Sequence, residues 1–390
     1  MFNLTCTKLS AGKQGEIMSN VKLYYATNRK HEGNQWNPTG YGKKFSASGQ
    51  HNLRFGVVNL EVDDNEISNY LNKKEDGHTG DGEGLAEYLT KQAKDKATFK
   101  AYKETLKDEM KYEKIPSTIV FKEIQTMMKK SSDILIYIHG YNVDWFEAVG
   151  SALALQFMMN RNNYDNNQKE IQVFLFSWPS DGSRKPFFAY WSDRNDAEQS
   201  GLAVGRAMLK LYYFFEWLHK KAHKNEESLC QHDIHLLCHS MGNYVLQNTL
   251  PKLFENNRNR RLPRLFKNIF LCAADVDDDV LEQGQSMDRL HEIALFISVY
   301  YNNKDIGMHL SDKTKGNPDR LGQSGFARGS FVHKKIHQID CTDIVSDFVG
   351  HSYYLWAAVN DDIAMSINDL SFDGPIRMRV KENQNSWKMK

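Results

Sequence analysis

The order of apolar segments constrains this chain more than any other feature. Five short runs stand out, at 134–138 (ILIYI), 173–178 (VFLFSW), 234–239 (IHLLCH), 269–274 (IFLCAA) and 293–301 (IALFISVYY). Most are apolar at consecutive as well as alternate positions, as in strands covered on both faces of a sheet. Helical patterns lie between them. Trp145, Val149, Leu153 and Phe157 recur at steps of four, residues 196–221 are densely apolar after Leu202, and Tyr244, Val245, Leu250 and Leu253 mark another helix. Strand and helix alternating in this way predict an α/β fold, with a mostly parallel central sheet flanked by helices on both faces.

The remaining segments read differently. Residues 21–27 and 51–62 alternate apolar and polar positions and are expected to form antiparallel edge strands. Residues 65–130 are rich in Lys, Glu and Asp. Leu85, Tyr88, Leu89, Ala93 and Ala97 make one helical stripe, and Phe99, Tyr102, Leu106 and Met110 make another. They predict a helical insertion, either a solvated decoration or a cap over a site. The chain is thus expected to have a poorly ordered N-terminus (1–20), one domain over 21–375 carrying the insertion at 65–130, and a frayed tail at 376–390.

Charge narrows the function classes. The 390 residues carry 50 Lys and Arg against 49 Asp and Glu, a formal net charge of +1. So even a balance argues against a nucleic-acid partner, which calls for a basic face. No apolar stretch is long enough to span a bilayer, which leaves peripheral membrane contact open. The first residues lack the basic and apolar regions of a secretory signal. Five cysteines in a chain this long make no disulfide framework, and the expected compartment is the reducing cytoplasm. No phosphate-binding loop or Cys-x-x-Cys pair is present. His219 and His223 are ringed by lysines that would repel a metal. No metal and no cofactor are expected. The oligomeric state is not readable.

The strongest chemical signal is Cys238-His239-Ser240-Met241-Gly242, after an apolar strand and before a helical pattern. A nucleophile elbow needs that context, with small residues two before and two after the serine. Gly242 meets the second requirement, and Cys238 replaces the usual Gly in the first. His139-Gly140-Tyr141-Asn142 follows another strand. There the Tyr141 N–H, together with that of Met241, is placed to form an oxyanion hole. His139 reads as a brace for this loop and as a substrate-pocket candidate. A carboxylate and then a histidine should follow the serine in the chain. Asp305 lies just past the run at 293–301, and His351 lies past a last strand at 336–341. Asp275 and Asp277 are the alternative acids. Trp178, at the end of a central strand, and Tyr353, beside His351, are further candidates for a pocket wall, with loop packing as the alternative.

These motifs bring a family into view. Tyr25-Ala26-Thr27-Asn28-Arg29, the His139–Asn142 motif and Phe176-Ser177-Trp178-Pro179-Ser180-Asp181-Gly182 belong to the pattern. So do Tyr190 with Asp193, the Ser240 elbow, Asp275-Val276-Asp277 and Gly350-His351-Ser352-Tyr353-Tyr354. Across 21–63 and 133–366 the chain resembles the bacterial α/β-hydrolases of unknown function called the DUF900 family. The resemblance implies an α/β-hydrolase fold, a nucleophilic Ser240, and the assignments of Asp305 and His351. It implies little about substrate. The expectation is a serine esterase, lipase-like, that cleaves a small-molecule or lipid carboxylic ester through an acyl-enzyme. The alternative is a non-catalytic scaffold that binds a partner through its insertion.

Overall fold

The computed structural model describes residues 17–75, 77–102, 121–123, 125–126, 132–162, 170–180, 186–223, 233–256, 264–305, 307, 319–345 and 350–390. The N-terminal part contributes β1 (Met18–Thr27), β2 (Arg29–Gly33), β3 (Pro38–Phe45) and β4 (Arg54–Asp63). It continues with α1 (Asp64–Asn72), the small hairpin β5 (Lys74–Glu75) and β6 (His78–Thr79), α2 (Gly82–Lys96) and β7 (Thr98–Ala101). Strand and helix then alternate through β8 (Ser132–Ile138), α3 (Trp145–Met159), β9 (Glu170–Ser177), α4 (Pro186–His223), β10 (Ile234–His239) and α5 (Gly242–Asn256). The chain ends with β11 (Phe266–Cys272), β12 (Ala294–Tyr301), β13 (Ile336–Asp340), α6 (Ala357–Ile367), β14 (Arg379–Asn383) and β15 (Ser386–Met389).

Eleven strands form one sheet in the order β14-β15-β13-β12-β11-β10-β8-β9-β1-β4-β7. From β15 to β1 every neighbouring pair is parallel. The apolar runs explain why. All six residues of β10 are buried. Leu236 and Cys238 pack with Val204, Met208 and Val245 on one face of the sheet, and Leu237 packs with Val149 and Leu153 on the other. Burying a large aliphatic side chain contributes roughly 1.5–3 kcal/mol, so a strand apolar on both faces is stable only between two helical layers. The parallel strands end at a common edge, where open α/β sheets carry their sites. The loops after β8, β9, β10 and β12 all reach that edge.

Several segments depart from the sequence expectation: β1 and β4, expected at an edge, lie inside the sheet between β9 and β7. The stretch 65–130 is not purely helical. After α1 and α2 the chain returns to the sheet, where β7 pairs antiparallel with β4. Phe99, spaced as part of a helical stripe, is a buried strand residue between exposed Thr98 and Lys100. Leu106 and Met110 lie outside the described residues. Helix α2 lies against the flank, with Leu85, Leu89 and Ala93 on Ala148 and Ala152 of α3. The N-terminus is ordered from β1 onward, because Val21, Leu23 and Tyr25 bury one side of that strand; residues 1–16 lie outside the described residues. The C-terminal tail is not frayed. Trp387 and Met389 are buried, and β15 extends the parallel sheet beside β13.

Candidate active site

The site begins with a backbone conformation. Ser240 has φ +52°, in the left-handed region that L-residues rarely occupy. A strand that turns into a helix within two residues forces it there. The surroundings hold it in place. The Ser240 N–H donates to Cys272 O (2.9 Å), and its carbonyl accepts from the N–H of Asp275 (3.2 Å) and of Asn243 (3.0 Å). The Asn243 side chain adds donation to Cys238 O (3.1 Å) and Ser240 O (3.0 Å). Sequence reasoning missed Asn243, whose only signal is its place one residue after the glycine of the elbow.

Two glycines let the loops converge. A Cβ on Gly242 would lie 2.6 Å from Ile138 O and 2.7 Å from His139 O. A Cβ on Gly140 would lie 2.7 Å from the Cβ of Ser240. The end of β8 is therefore pressed directly against the elbow, and only glycine fits on either side of the contact. Cys238 costs the elbow nothing visible, since its side chain points into the core beside Leu236.

His351 and Asp305 meet. His351 Nδ1 lies 2.8 Å from Asp305 Oδ2, and Asp305 is fully buried. The His351 side chain is 23% exposed. Its pKa balances opposed effects. Burial pulls it down, but the charge and hydrogen bond of Asp305, with the charges of Asp275 and Glu83, outweigh burial and leave it above 6.5. The imidazole is tied to the elbow through His239. His239 Nε2 donates to His351 O (3.1 Å), and the two rings lie 4.8 Å apart. Burial and the neighbouring His351 hold His239 neutral, well below the usual histidine range. A Cβ on Gly307 would come within 3.0 Å of both Asp305 Oδ1 and His351 Nδ1, so that glycine lies over the pair. Sequence reasoning also passed over Gly307.

The alternative acids have other partners. Tyr190 OH donates to Asp275 Oδ2 (2.9 Å), and Arg320 lies against both Asp275 and Asp277. Neither carboxylate is hydrogen-bonded to His351, a role that falls to Asp305. Asp277 is turned to Arg320, and Asp275 acts on His351 only through its charge.

The three pocket-wall candidates are not on a wall. Trp178 is fully buried, stacks on His139 with ring centroids 5.4 Å apart, and donates its indole N–H to His139 O (2.9 Å). His139 is itself fully buried. Tyr353 is buried with its hydroxyl between two backbone groups, donating to Tyr300 O (2.7 Å) and accepting from Ala273 N–H (2.8 Å). All three pack the loops, because their polar atoms find partners only inside. Asp181 and Gly182 lie outside the described residues.

In the loop after β8, the N–H of Asn142 donates to Asp193 (3.1 Å) and that of Val143 to Ser180 Oγ (3.2 Å). On the α4 face of the sheet lies a cavity whose lining is wholly apolar, including Ile138, Phe174, Phe176 and Met208. Ile138 and Phe176 are the residues just before His139 and Ser177. Among the described residues no group of three or more His, Cys, Asp or Glu is placed to hold a metal ion, and no helix is long and apolar enough to cross a membrane.

Comparison with known proteins bears on this geometry. Residues 118–362 match a family described as alpha/beta hydrolase of unknown function (DUF900). A solved structure similar to this chain is the crystal structure of Aspergillus fumigatus lipase B. The two share 11% identity and a TM-score of 0.35, over 64% of this chain and 55% of that one. The chain thus spans just over half of that lipase's length. A search among curated proteins finds no match.

Proposed function

The chain belongs to the DUF900 family of α/β-hydrolases, and we propose that it is a serine hydrolase that cleaves a carboxylic ester through an acyl-enzyme. The observation that carries this reading is the 2.8 Å contact of His351 Nδ1 with buried Asp305, on a loop that His239, the residue before left-handed Ser240, ties to the end of β10. An acceptor-only carboxylate on Nδ1 keeps the proton on that nitrogen and leaves Nε2 to act as base.

In the proposed reaction Ser240 Oγ attacks the ester carbonyl and its proton passes to His351 Nε2. The oxyanion is received by the N–H groups of Tyr141 and Met241. One such donor is worth about 10²–10³ in rate. The tetrahedral intermediate collapses, and His351 returns the proton to the departing alcohol. Water then attacks the acyl-enzyme, with His351 again as base, and the carboxylic acid leaves. Ser240 is 3% exposed and the His351 side chain 23%.

The cavity beside β8 and β9 is lined by none of Ser240, Tyr141, Met241 and His351; if it receives the acyl group, the expected substrate is an ester with an alkyl chain, lipid esters included. The test is a fluorophosphonate probe, a phosphorus electrophile that mimics the tetrahedral intermediate. It is expected to label Ser240 in wild-type protein, to leave Ser240→Ala unlabelled and to react far more slowly with His351→Ala. Folded wild-type protein that stays unlabelled would refute the proposal.

A further inference from the structure

A buried chain of hydrogen bonds runs from the N-terminal strands to the oxyanion loop, and each link has one possible direction. Gly140 O carries only lone pairs, so His139 Nδ1, at 2.9 Å, must be the donor. Burial, with the nearby charge of Arg29, pushes the His139 pKa down to about 3, so the ring is neutral. Its Nε2 is then an acceptor, and the donor is the Ser177 hydroxyl at 3.0 Å. Ser177 Oγ in turn accepts from Arg29 Nε–H at 2.9 Å. The order Arg29 → Ser177 → His139 → Gly140 O cannot be reversed, because a guanidinium has no acceptor at one end and a carbonyl has no donor at the other.

Both ends are anchored. Arg29 is buried and also donates to Val143 O (2.7 Å), Gly42 O (3.2 Å) and Ser180 O (3.2 Å). One side chain from β2 thus grips the loops after β8 and β9. Thr27 fixes the register by donating to Ser177 O (2.6 Å) and accepting from Arg29 N–H (3.1 Å). At the other end, the Gly140–Tyr141 peptide is planar, with its N–H opposed to its C=O. Fixing the direction of Gly140 O therefore fixes the direction of Tyr141 N–H, and Gly140 already lies against Ser240.

We propose that Arg29 and Ser177 are positioning residues, which act through His139 to hold the Gly140–Tyr141 peptide so that Tyr141 N–H faces the developing oxyanion. This rests on the reading of Ser240 as nucleophile. Arg29 lies outside the matched span of 118–362, so the N-terminal strands supply part of the site.

The experiment has one arm that needs no activity. In protein labelled with ¹⁵N-histidine and ¹⁵N-tyrosine, His139 is expected to stay neutral with its proton on Nδ1 from pH 5 to 8. In Ser177→Ala the Tyr141 amide signal is expected to shift. The second arm is kinetic. Ser177→Ala is expected to lower kcat on a chromogenic ester about 10–100-fold, with KM changed less than about twofold. Labelling by the fluorophosphonate slows in proportion. Ser177→Thr, which keeps the hydroxyl, restores most of the rate, and Arg29→Met repeats the loss if Ser177→Thr does not fold. A His139 that titrates near 6.5 or carries its proton on Nε2, or a folded Ser177→Ala with wild-type kcat, overturns the proposal. A wild-type protein inert to the probe overturns the hydrolase reading instead, and the spectra still decide the relay.

Discussion

Replacing Asp305 by Asn keeps the shape of the acid and removes its charge. The carboxylate lies 2.8 Å from His351 Nδ1 in a fully buried position, so no water takes over its role. An asparagine there turns its NH₂ toward Nδ1, which must then accept. The proton moves to Nε2, the atom that has to take the proton of Ser240. A change of tautomer of this kind costs about 10⁴ in kcat, or about 5.5 kcal/mol of barrier. The pH dependence gives a second reading of the same contact. Burial pulls the His351 pKa down and Asp305 is the main group pushing it up, to a net value above 6.5. The wild-type rate is therefore expected to rise with pH through a limb above 6.5, and the residual activity of Asp305→Asn through one that lies lower. Stability follows the same linkage. A histidine whose pKa is raised by folding contributes stability that is complete below its unfolded value and fades as pH climbs through the folded one. The variant should thus lose most stability near pH 5 and less at pH 8. Initial rates on a chromogenic ester from pH 5 to 9, with thermal denaturation at each pH, measure all three effects. A loss in kcat under tenfold, or an acid limb that stays put or moves upward, would refute the reasoning.

Two further substitutions probe the packing around the site. In Gly140→Ala the added methyl would stand 2.7 Å from Ser240 Cβ; pushing the loop back is expected to cost about 1–3 kcal/mol in thermal or denaturant unfolding and about 100-fold in kcat. Met208→Trp fills the apolar cavity beside Phe174 and Phe176; kcat/KM over a series of acyl chain lengths is expected to fall for long chains and to hold for acetyl, and an unchanged profile would remove the cavity from the substrate path.

Much of this architecture was legible in the sequence, for identifiable reasons. Strands buried on both faces must be apolar at every position, and β8 to β12 were found by that mark. The elbow was legible because the Ser240 turn requires Gly242, and the Asp305–His351 pair because chain order restricts which loops reach the same edge. What escaped had weaker local signals. Strand β7 is four residues long, too short for its alternation to compete with a helical stripe that shares Phe99. The last strands look like a basic tail, since only Trp387 and Met389 among their residues pay into the core. Trp178 and Tyr353 stayed open between pocket wall and loop packing because an aromatic ring after a strand does either with the same sequence. Arg29 stood in a sequence motif but its role did not show there, as a buried arginine's partners are recognisable only from the carbonyls gathered around it.

The central claim concerns one oxygen atom, Ser240 Oγ. Intact-mass and peptide mass spectrometry after fluorophosphonate treatment test it most directly. The account predicts a single adduct, on the peptide that contains Ser240, with the rate of formation following the His351 limb above pH 6.5. No adduct on folded protein, or an adduct on another residue while Ser240 stays unmodified, would contradict it.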